Sequence, residues 1–163
     1  MIIDNNAIFS GSITNAAGSS GTVVAGQTVT GTNTSVLSTN TYDLGVARDI
    51  GKGEALELAI EVITAASGGT SVQFQLIQAD DAALTSNVQV INQTDAFPIA
   101  SLPVGTLVPL GVDQAAPYAP KRYLGVRYIS TGTTVTALSV TAALVKDLQS
   151  AKNIFYKSGF AVL

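Results

Sequence analysis

The stretch from Glu54 to Ala65 constrains the fold most strongly, because its apolar residues recur at every second position. The even-numbered residues are all aliphatic: Leu56, Leu58, Ile60 and Val62. The odd-numbered side is mixed: Glu57, Ala59, Glu61 and Ile63. Glu, Ala and Leu also favour helix, but the alternation and the β-branched end favour a strand. We therefore predict a half-buried strand with one face in the core and one in water.

The same period of two recurs along the chain. Further strands are predicted at Ser71–Gln78, Val88–Ile91, Thr106–Gly111, Arg122–Ser130 and Thr133–Val145. Pro109 predicts an edge position for its strand, since proline cannot donate to a sheet ladder. Three of these strands have clear inward faces: Val72, Phe74 and Leu76; Leu124, Val126 and Tyr128; Leu138, Val140, Ala142 and Leu144. The other face of the last strand is small and uncharged, which suits packing against protein.

Turns separate these strands, and no long helix is indicated. Residues Ser67–Thr70 predict a hairpin turn, and Gly132 predicts the turn before the last strand. Short strands with turn signals indicate an all-β, jelly-roll-like antiparallel β-sandwich. We place this domain at residues 1–148, with a Gly/Ser/Thr-rich insertion at about 10–40. That insertion is consistent with short edge strands or with a disordered linker.

The C-terminal region has a different composition. A short helix is predicted near Lys146–Lys152, followed by an apolar arm, and we assign residues 149–163 to that arm. With the apolar N-terminus, the arm supplies six candidate interaction residues: Ile2, Ile3, Phe155, Tyr156, Phe160 and Leu163.

Composition excludes several function classes. The chain has no cysteine and no histidine, so thiol chemistry and the commonest general base are missing. Charged residues are only 12% of the chain, against about 25% in typical domains. The net charge of −3 gives no basic footprint for nucleic acid, and no apolar run reaches the ~20 residues of a membrane span. We expect no enzyme activity, cofactor, metal, nucleic acid or membrane partner.

Carboxylates offer the remaining catalytic interpretation. A hydrolase would need two of them in one cleft, such as Asp80 with Asp43 or Glu54. A calcium site near Asp80 and Asp81 would need further oxygen ligands; the candidates are Asn87, Asp95 and Asp113. Adjacent side chains of an extended segment point apart, so we expect Asp80 or Asp81 either to cap one helical turn or to lie in a solvated loop instead.

Two basic segments have plain structural interpretations. The run Gly51–Glu54 lacks the full phosphate-loop pattern. Lys121 and Arg122 are interpreted as charges that protect an edge strand from pairing with another chain.

The run Tyr42–Glu54 reads as a charged corner before the first long strand. Gly45, Gly51 and Gly53 permit tight turns there, and we expect Arg48, Asp49 and Glu54 to pair with one another.

Several motifs together carry a family resemblance. They are Asp43-Leu44-Gly45-x-Ala47-Arg48-Asp49-Ile50-Gly51-x-Gly53-Glu54-x-Leu56, Asp80–Ser86, Arg122-Tyr123-Leu124, Tyr128, Gly132–Thr136 and Ala142–Gln149. With them the chain resembles the capsid cement (decoration) proteins of short-tailed bacteriophages of the Bordetella-phage type. The Gly/Ser/Thr-rich stretch before Tyr42 departs from that pattern.

The resemblance implies a structural virion protein. Such a protein is made in the host bacterial cytoplasm, binds the capsid exterior and cements neighbouring major capsid proteins. It implies a homo-oligomer, with a dimer favoured and a trimer possible. The alternative is a carbohydrate- or receptor-binding β-sandwich, in which exposed tyrosines would contact the ligand: Tyr42, Tyr118, Tyr123 and Tyr128.

Overall fold

The computed structural model describes residues 7–15, 22–50, 56–112 and 119–146. Nearly all regular structure within these ranges is β-strand. The strands are β1 (Ile8–Ser10), β2 (Ser12–Asn15), β3 (Thr22–Ala25), β4 (Gln27–Thr28), β5 (Ser35–Leu37), β6 (Tyr42–Asp43), β7 (Glu57–Gly68), β8 (Ser71–Ala79), β9 (Gln89–Gln93), β10 (Phe97–Pro98), β11 (Leu107–Gly111), β12 (Tyr123–Thr131) and β13 (Val135–Val145). One turn of 3-10 helix spans Ile99–Ser101.

Two antiparallel sheets form a sandwich, as the sequence predicts. The first sheet has the order β1-β13-β7-β11, with β4 also paired to β13. The second has the order β10-β8-β12-β5, with β6 paired to β12 and β9 to β8. Strands β2 and β3 form a separate two-stranded ribbon. Strand β11 lies at the end of the first sheet, so the edge position predicted from Pro109 is confirmed.

The core lies between the sheets and is built from the predicted inward faces. Leu58, Ile60 and Val62 of β7 pack with the inward residues of β8, β12 and β13 in one cluster. Within it, Phe74 and Tyr128 meet edge to face, with ring centroids 5.9 Å apart. Alternation alone therefore identified the residues that hold the two sheets together.

The turn at Ser67–Thr70 is not a hairpin, and here the prediction is wrong. Strand β7 belongs to the first sheet and β8 to the second, so this turn crosses between sheets. The turn between β12 and β13 also crosses, and the two corners lie side by side: the Thr70 amide donates to the Thr131 carbonyl oxygen at 3.1 Å. Gly132, at φ 87°, has no room for a side chain, because a Cβ there would fall 2.0 Å from Thr70 Oγ1.

The region before Tyr42 is structured where the model describes it. Strands β3, β4 and β5 lie within the range that also suited a linker, and Val29 is buried in the main core. At residues 22–40, therefore, the strand alternative holds. Residues 16–21 lie outside the described part of the chain.

The odd-numbered face of β7 is not the water-facing surface we expect from its polarity. Ala59 is 0% exposed and Glu61 only 6%. Ala59 belongs to a second small cluster with Ile8, Ala143 and Val145. Alternation tells which residues share a side, but it does not tell whether that side is covered. The prediction that the outer face of β13 packs against protein fits the burial of Thr141 and Ala143.

Smaller differences concern the connections. The strand predicted at Val88–Ile91 runs from Gln89 to Gln93, and the segment from Phe97 contains β10 and the 3-10 turn. The helix predicted near Lys146–Lys152 lies almost entirely outside the described residues, as does the arm from residue 149 onward.

Candidate functional site

Three loops meet at one end of the sandwich. The first comprises the last residue of β6 and the segment after it (residues 43–50). The second follows β8 (80–87), and the third precedes β12 (119–122). The register brings them together, because Tyr123 at the start of β12 is paired with both Ala79 and Asp43. We call this the charged end. It gathers three of the motifs that carry the family resemblance, although they are far apart in the sequence.

A bidentate ion pair joins the first and third loops. Arg122 Nε lies 2.7 Å from Asp43 Oδ1, and Nη2 lies 2.8 Å from Oδ2. The Gly45 amide donates to the same carboxylate at 2.8 Å. The hydrogen bond from Arg122, aided by that from Gly45, lowers the pKa of Asp43 to about 2. The guanidinium also lies over the Tyr123 ring, 5.1 Å from its centroid.

A second ion pair joins the 80–87 loop to the segment before β12. Lys121 Nζ lies 2.6 Å from Asp80 Oδ1, and Asn87 Nδ2 donates to Asp80 Oδ2 at 2.7 Å. These hydrogen bonds, led by that from Lys121, lower the pKa of Asp80 below its ordinary value. The Asp80 carboxylate therefore stays ionised and fixes the loop in place.

Asp81 caps the loop from within. Its Oδ1 accepts from the amides of Thr85 at 2.9 Å and Ser86 at 2.7 Å. Its Oδ2 accepts from the Thr85 hydroxyl at 2.7 Å. The hydrogen bond from the Ser86 amide, followed by that from the Thr85 hydroxyl, lowers the pKa of Asp81. The loop alternative is thus confirmed: residues 80–87 form no helical turn, and the Asp81 oxygens are occupied by amides and a hydroxyl of the loop itself.

Leu84 anchors the loop on the outer face of the second sheet. It has φ 56°, which is rare for a bulky residue, and it is buried against Ile77 and Ala79. The position beneath it is Gly125, where a Cβ would lie 2.1 Å from Leu84 Cδ1. The sequence signal for this contact was the lone glycine inside the β12 pattern, which often marks a close approach.

One sequence interpretation of the charged end is corrected. Strand β12 lies between β8 and β5, so Lys121 and Arg122 do not protect a sheet edge; they hold adjacent loops through Asp80 and Asp43. The predicted pairing of Arg48, Asp49 and Glu54 stays a prediction. The ion pair that the structure shows at this corner joins Asp43 and Arg122. Glu54 lies outside the described residues.

Of the candidate catalytic carboxylates, the structure describes Asp43 and Asp80. Asp43 and Asp80 each face their own cation, and Glu54 is not described. Among the described residues, no group of three His, Cys, Asp or Glu side chains is placed to hold a metal ion. Of the calcium candidates, Asn87 bonds Asp80 through its amide nitrogen, and Asp113 lies outside the described part of the chain.

The three proposed carbohydrate-binding tyrosines that the structure describes do not share an exposed face. Tyr128 is 0% exposed, Tyr42 packs against Phe9 with centroids 6.1 Å apart, and Tyr123 is covered by Arg122. Tyr118 lies outside the described residues. The described aromatic rings therefore offer no stacking platform of the kind that the carbohydrate alternative needs.

The six candidate interaction residues are not described, so the structure does not place them: Ile2, Ile3, Phe155, Tyr156, Phe160 and Leu163. In the described ranges, no helix has both the length and the apolar character needed to cross a membrane.

The structure is an antiparallel β-sandwich. The charged groups at its charged end form ion pairs and hydrogen bonds that hold the loops in place. The Bbp16 family model matches residues 23–144, which include most of both sheets and the charged end. The chain belongs to this Bordetella-phage protein family, which supports a bacteriophage origin. No curated protein gives a significant match.

Proposed function

We propose that the protein is a structural component of the virion that binds the outside of the assembled capsid and cements neighbouring major capsid proteins. The observation that carries this proposal is the extent of the family match, residues 23–144. The matched part is the sandwich itself and not a short motif, so the family's role is expected to reside in this domain.

The character of the loops supports a structural role. At the charged end Asp43, Asp80 and Asp81 each make at least two hydrogen bonds or ion contacts inside the protein. Groups engaged in this way maintain a fixed surface shape, and they are not poised to transfer protons to a substrate. We propose a protein without enzymatic activity, made in the host cytoplasm and located on the capsid exterior.

Cementing requires each unit to touch more than one capsid protein. A lattice presents many equivalent sites, so modest contacts add up through effective concentration. A homo-oligomer, with a dimer favoured, would provide this multivalency. The proposed partner is the major capsid protein in its assembled form.

Co-sedimentation with capsid shells tests the proposal. Purified protein is mixed with empty shells of its phage or with the same coat protein kept unassembled, and bound protein is quantified. We expect saturable binding to shells and little to unassembled coat protein. An absence of binding to shells would reject the proposal. Equal binding to unassembled subunits would reject the lattice-dependent part of it.

The mass of the free protein in solution tests the oligomer separately. A dimer would have twice the 16.6 kDa of the chain. A monomer at every concentration would remove the dimer from the proposal, and bridging would then have to arise within one chain.

A further inference from the structure

The sandwich has an uncharged end opposite the charged one. It is formed by the crossing corners and the segments beside them, residues 28–36, 63–72, 96–106 and 129–137. None of the chain's 8 Lys and Arg or 11 Asp and Glu residues lies in these four segments. A surface without charges can be covered by another protein without removing ions from water, which is the costly step in burying charged groups.

Polar side chains at the uncharged end already form hydrogen bonds within the protein. Thr34 Oγ1 lies 3.0 Å from Ser130 Oγ, Ser67 Oγ lies 2.9 Å from Thr136 Oγ1, and the Gly132 amide donates to Asn33 Oδ1 at 2.8 Å. These contacts join segments distant in sequence. Side chains fixed in advance lose little freedom when a partner covers them, which favours binding.

One loop at this end presents apolar side chains to solvent. Pro98, Ala100, Pro103 and Val104 are exposed, and Val104 exposes 64% of its surface. Leu102 lies in the core with no exposure. The loop is tied to β7, because the Ala66 amide donates to the Leu102 carbonyl at 3.0 Å and the Gly105 amide donates to that of Val62 at 2.8 Å. Val104 is thus held outward by a rigid loop.

We infer that the uncharged end, with the loop at Pro98–Val104 as its exposed apolar part, is the surface that docks on the capsid shell. This rests on the proposed function and specifies which part of the sandwich performs it. A charge on the partner would find no counter-charge at this end. The partner surface is therefore expected to be an uncharged, partly apolar patch on the assembled coat protein. The exposed apolar set is one loop, whereas a stable interface involves about 20–30 residues a side. That size suits a contact repeated over a lattice better than a soluble dimer held by this end alone.

Two exposed valines at opposite ends provide a matched test. Val46 follows Gly45 at the charged end and exposes 57% of its surface, close to the value for Val104. V104E and V46E each add one charge at an exposed position, so both should fold. We expect V104E to weaken shell binding by about tenfold or more, because docking would bury the new charge, and V46E to change it by less than about twofold. V104T, which adds no charge, should bind nearly as wild type.

Salt dependence provides a second readout. Docking through an uncharged surface should leave wild-type binding unchanged or stronger at high salt, whereas docking through the charged end should weaken it. If wild type binds shells but V104E binds equally well, or V46E is the weaker variant, the inference is overturned and the proposed function stands. If V104E lowers the solution mass, this end joins copies of the chain and the inference is also overturned. If wild type does not bind, both fail.

Discussion

The hydroxyl of Tyr128 donates a hydrogen bond to Ser10 Oγ at 2.7 Å across the interior of the sandwich. Tyr128 lies on β12 of the second sheet, and Ser10 lies on β1 at the edge of the first; both are fully buried. Burial raises the pKa of Tyr128 above its ordinary value, so the hydroxyl keeps its proton. The N-terminal strand is thereby joined to the opposite sheet by a polar contact inside an apolar core.

Replacing Tyr128 by Phe should destabilise the protein by about 1–3 kcal/mol, because the buried Ser10 hydroxyl loses its partner. Chemical denaturation of Y128F, S10A and the double variant measures this. We expect the double variant to lose less stability than the two single losses added together, since removing both groups leaves no unsatisfied partner. Strictly additive losses would show that the two hydroxyls do not depend on each other.

Adding a methyl group at Gly125 should displace the 80–87 loop. The new Cβ would lie 2.1 Å from Leu84 Cδ1, so G125A should cost about 1–3 kcal/mol as an overpacked site. Shortening Leu84 to Ala makes room, so the same G125A change should cost much less in an L84A background. Denaturation of the four proteins checks this. An equal cost of G125A in both backgrounds would place its effect in the β12 backbone and not in the Leu84 contact.

Glu61 should make stability depend on pH. It lies on the covered outer face of β7, its Oε2 and the Oγ1 of its cross-strand neighbour Thr141 both lack a hydrogen-bond partner, and burial raises the pKa of Glu61 to about 7. A raised folded-state pKa means that the neutral acid is favoured in the folded protein. The stabilisation is complete below pH 4.5, the ordinary value, and is lost as pH rises towards about 7.

The test is the melting temperature between pH 4 and pH 8 for wild type and E61Q. We expect the melting temperature of E61Q to increase relative to that of wild type as pH rises through this window, because the glutamine amide cannot ionise. E57Q, on the same strand at a less buried position, is the matched control and should show a smaller change. Parallel profiles for wild type and E61Q would mean that Glu61 is solvated in both of its protonation states.

The apolar C-terminal arm provides a further prediction. Removing Ile154–Leu163 should leave the sandwich folded, because residues between Ile8 and Val145 form both sheets and the described core cluster. It should weaken oligomer or shell contacts, since Phe155, Tyr156, Phe160 and Leu163 are lost together. Circular dichroism and solution mass of the truncated chain separate the two effects. An unfolded truncation would instead assign the arm to the core of the domain.

The sequence predicts those parts of the fold that depend on local alternation. The inward faces of β7, β8, β12 and β13 follow from residues two apart, and hydrophobic burial acts directly on that pattern. It does not predict which strands pair. At Ser67–Thr70 two glycines suit a hairpin and a sheet-crossing corner equally well, and only the partners of β7 and β8 distinguish these. It also misses that the odd face of β7 is covered, since Glu61 has the polarity of a water-facing residue.

The sequence predicts single features of the candidate site, but it does not predict which residues the fold brings together there. Asp81 reads as a loop cap because its oxygens can reach amides a few residues ahead, which is a local property. The Asp43–Arg122 pair joins residues distant in sequence and depends on the register of β6 against β12, which composition does not encode. The positive φ of Leu84 could not be anticipated, since bulky residues rarely adopt that conformation.

The thermal stability of capsid shells tests the central claim most directly. Empty shells are heated with and without saturating protein, and the temperature at which shells break into subunits is followed by light scattering. We predict that bound protein raises this temperature, and that V46E raises it as well as wild type. Binding that leaves the shell's disruption temperature unchanged would contradict the cementing role.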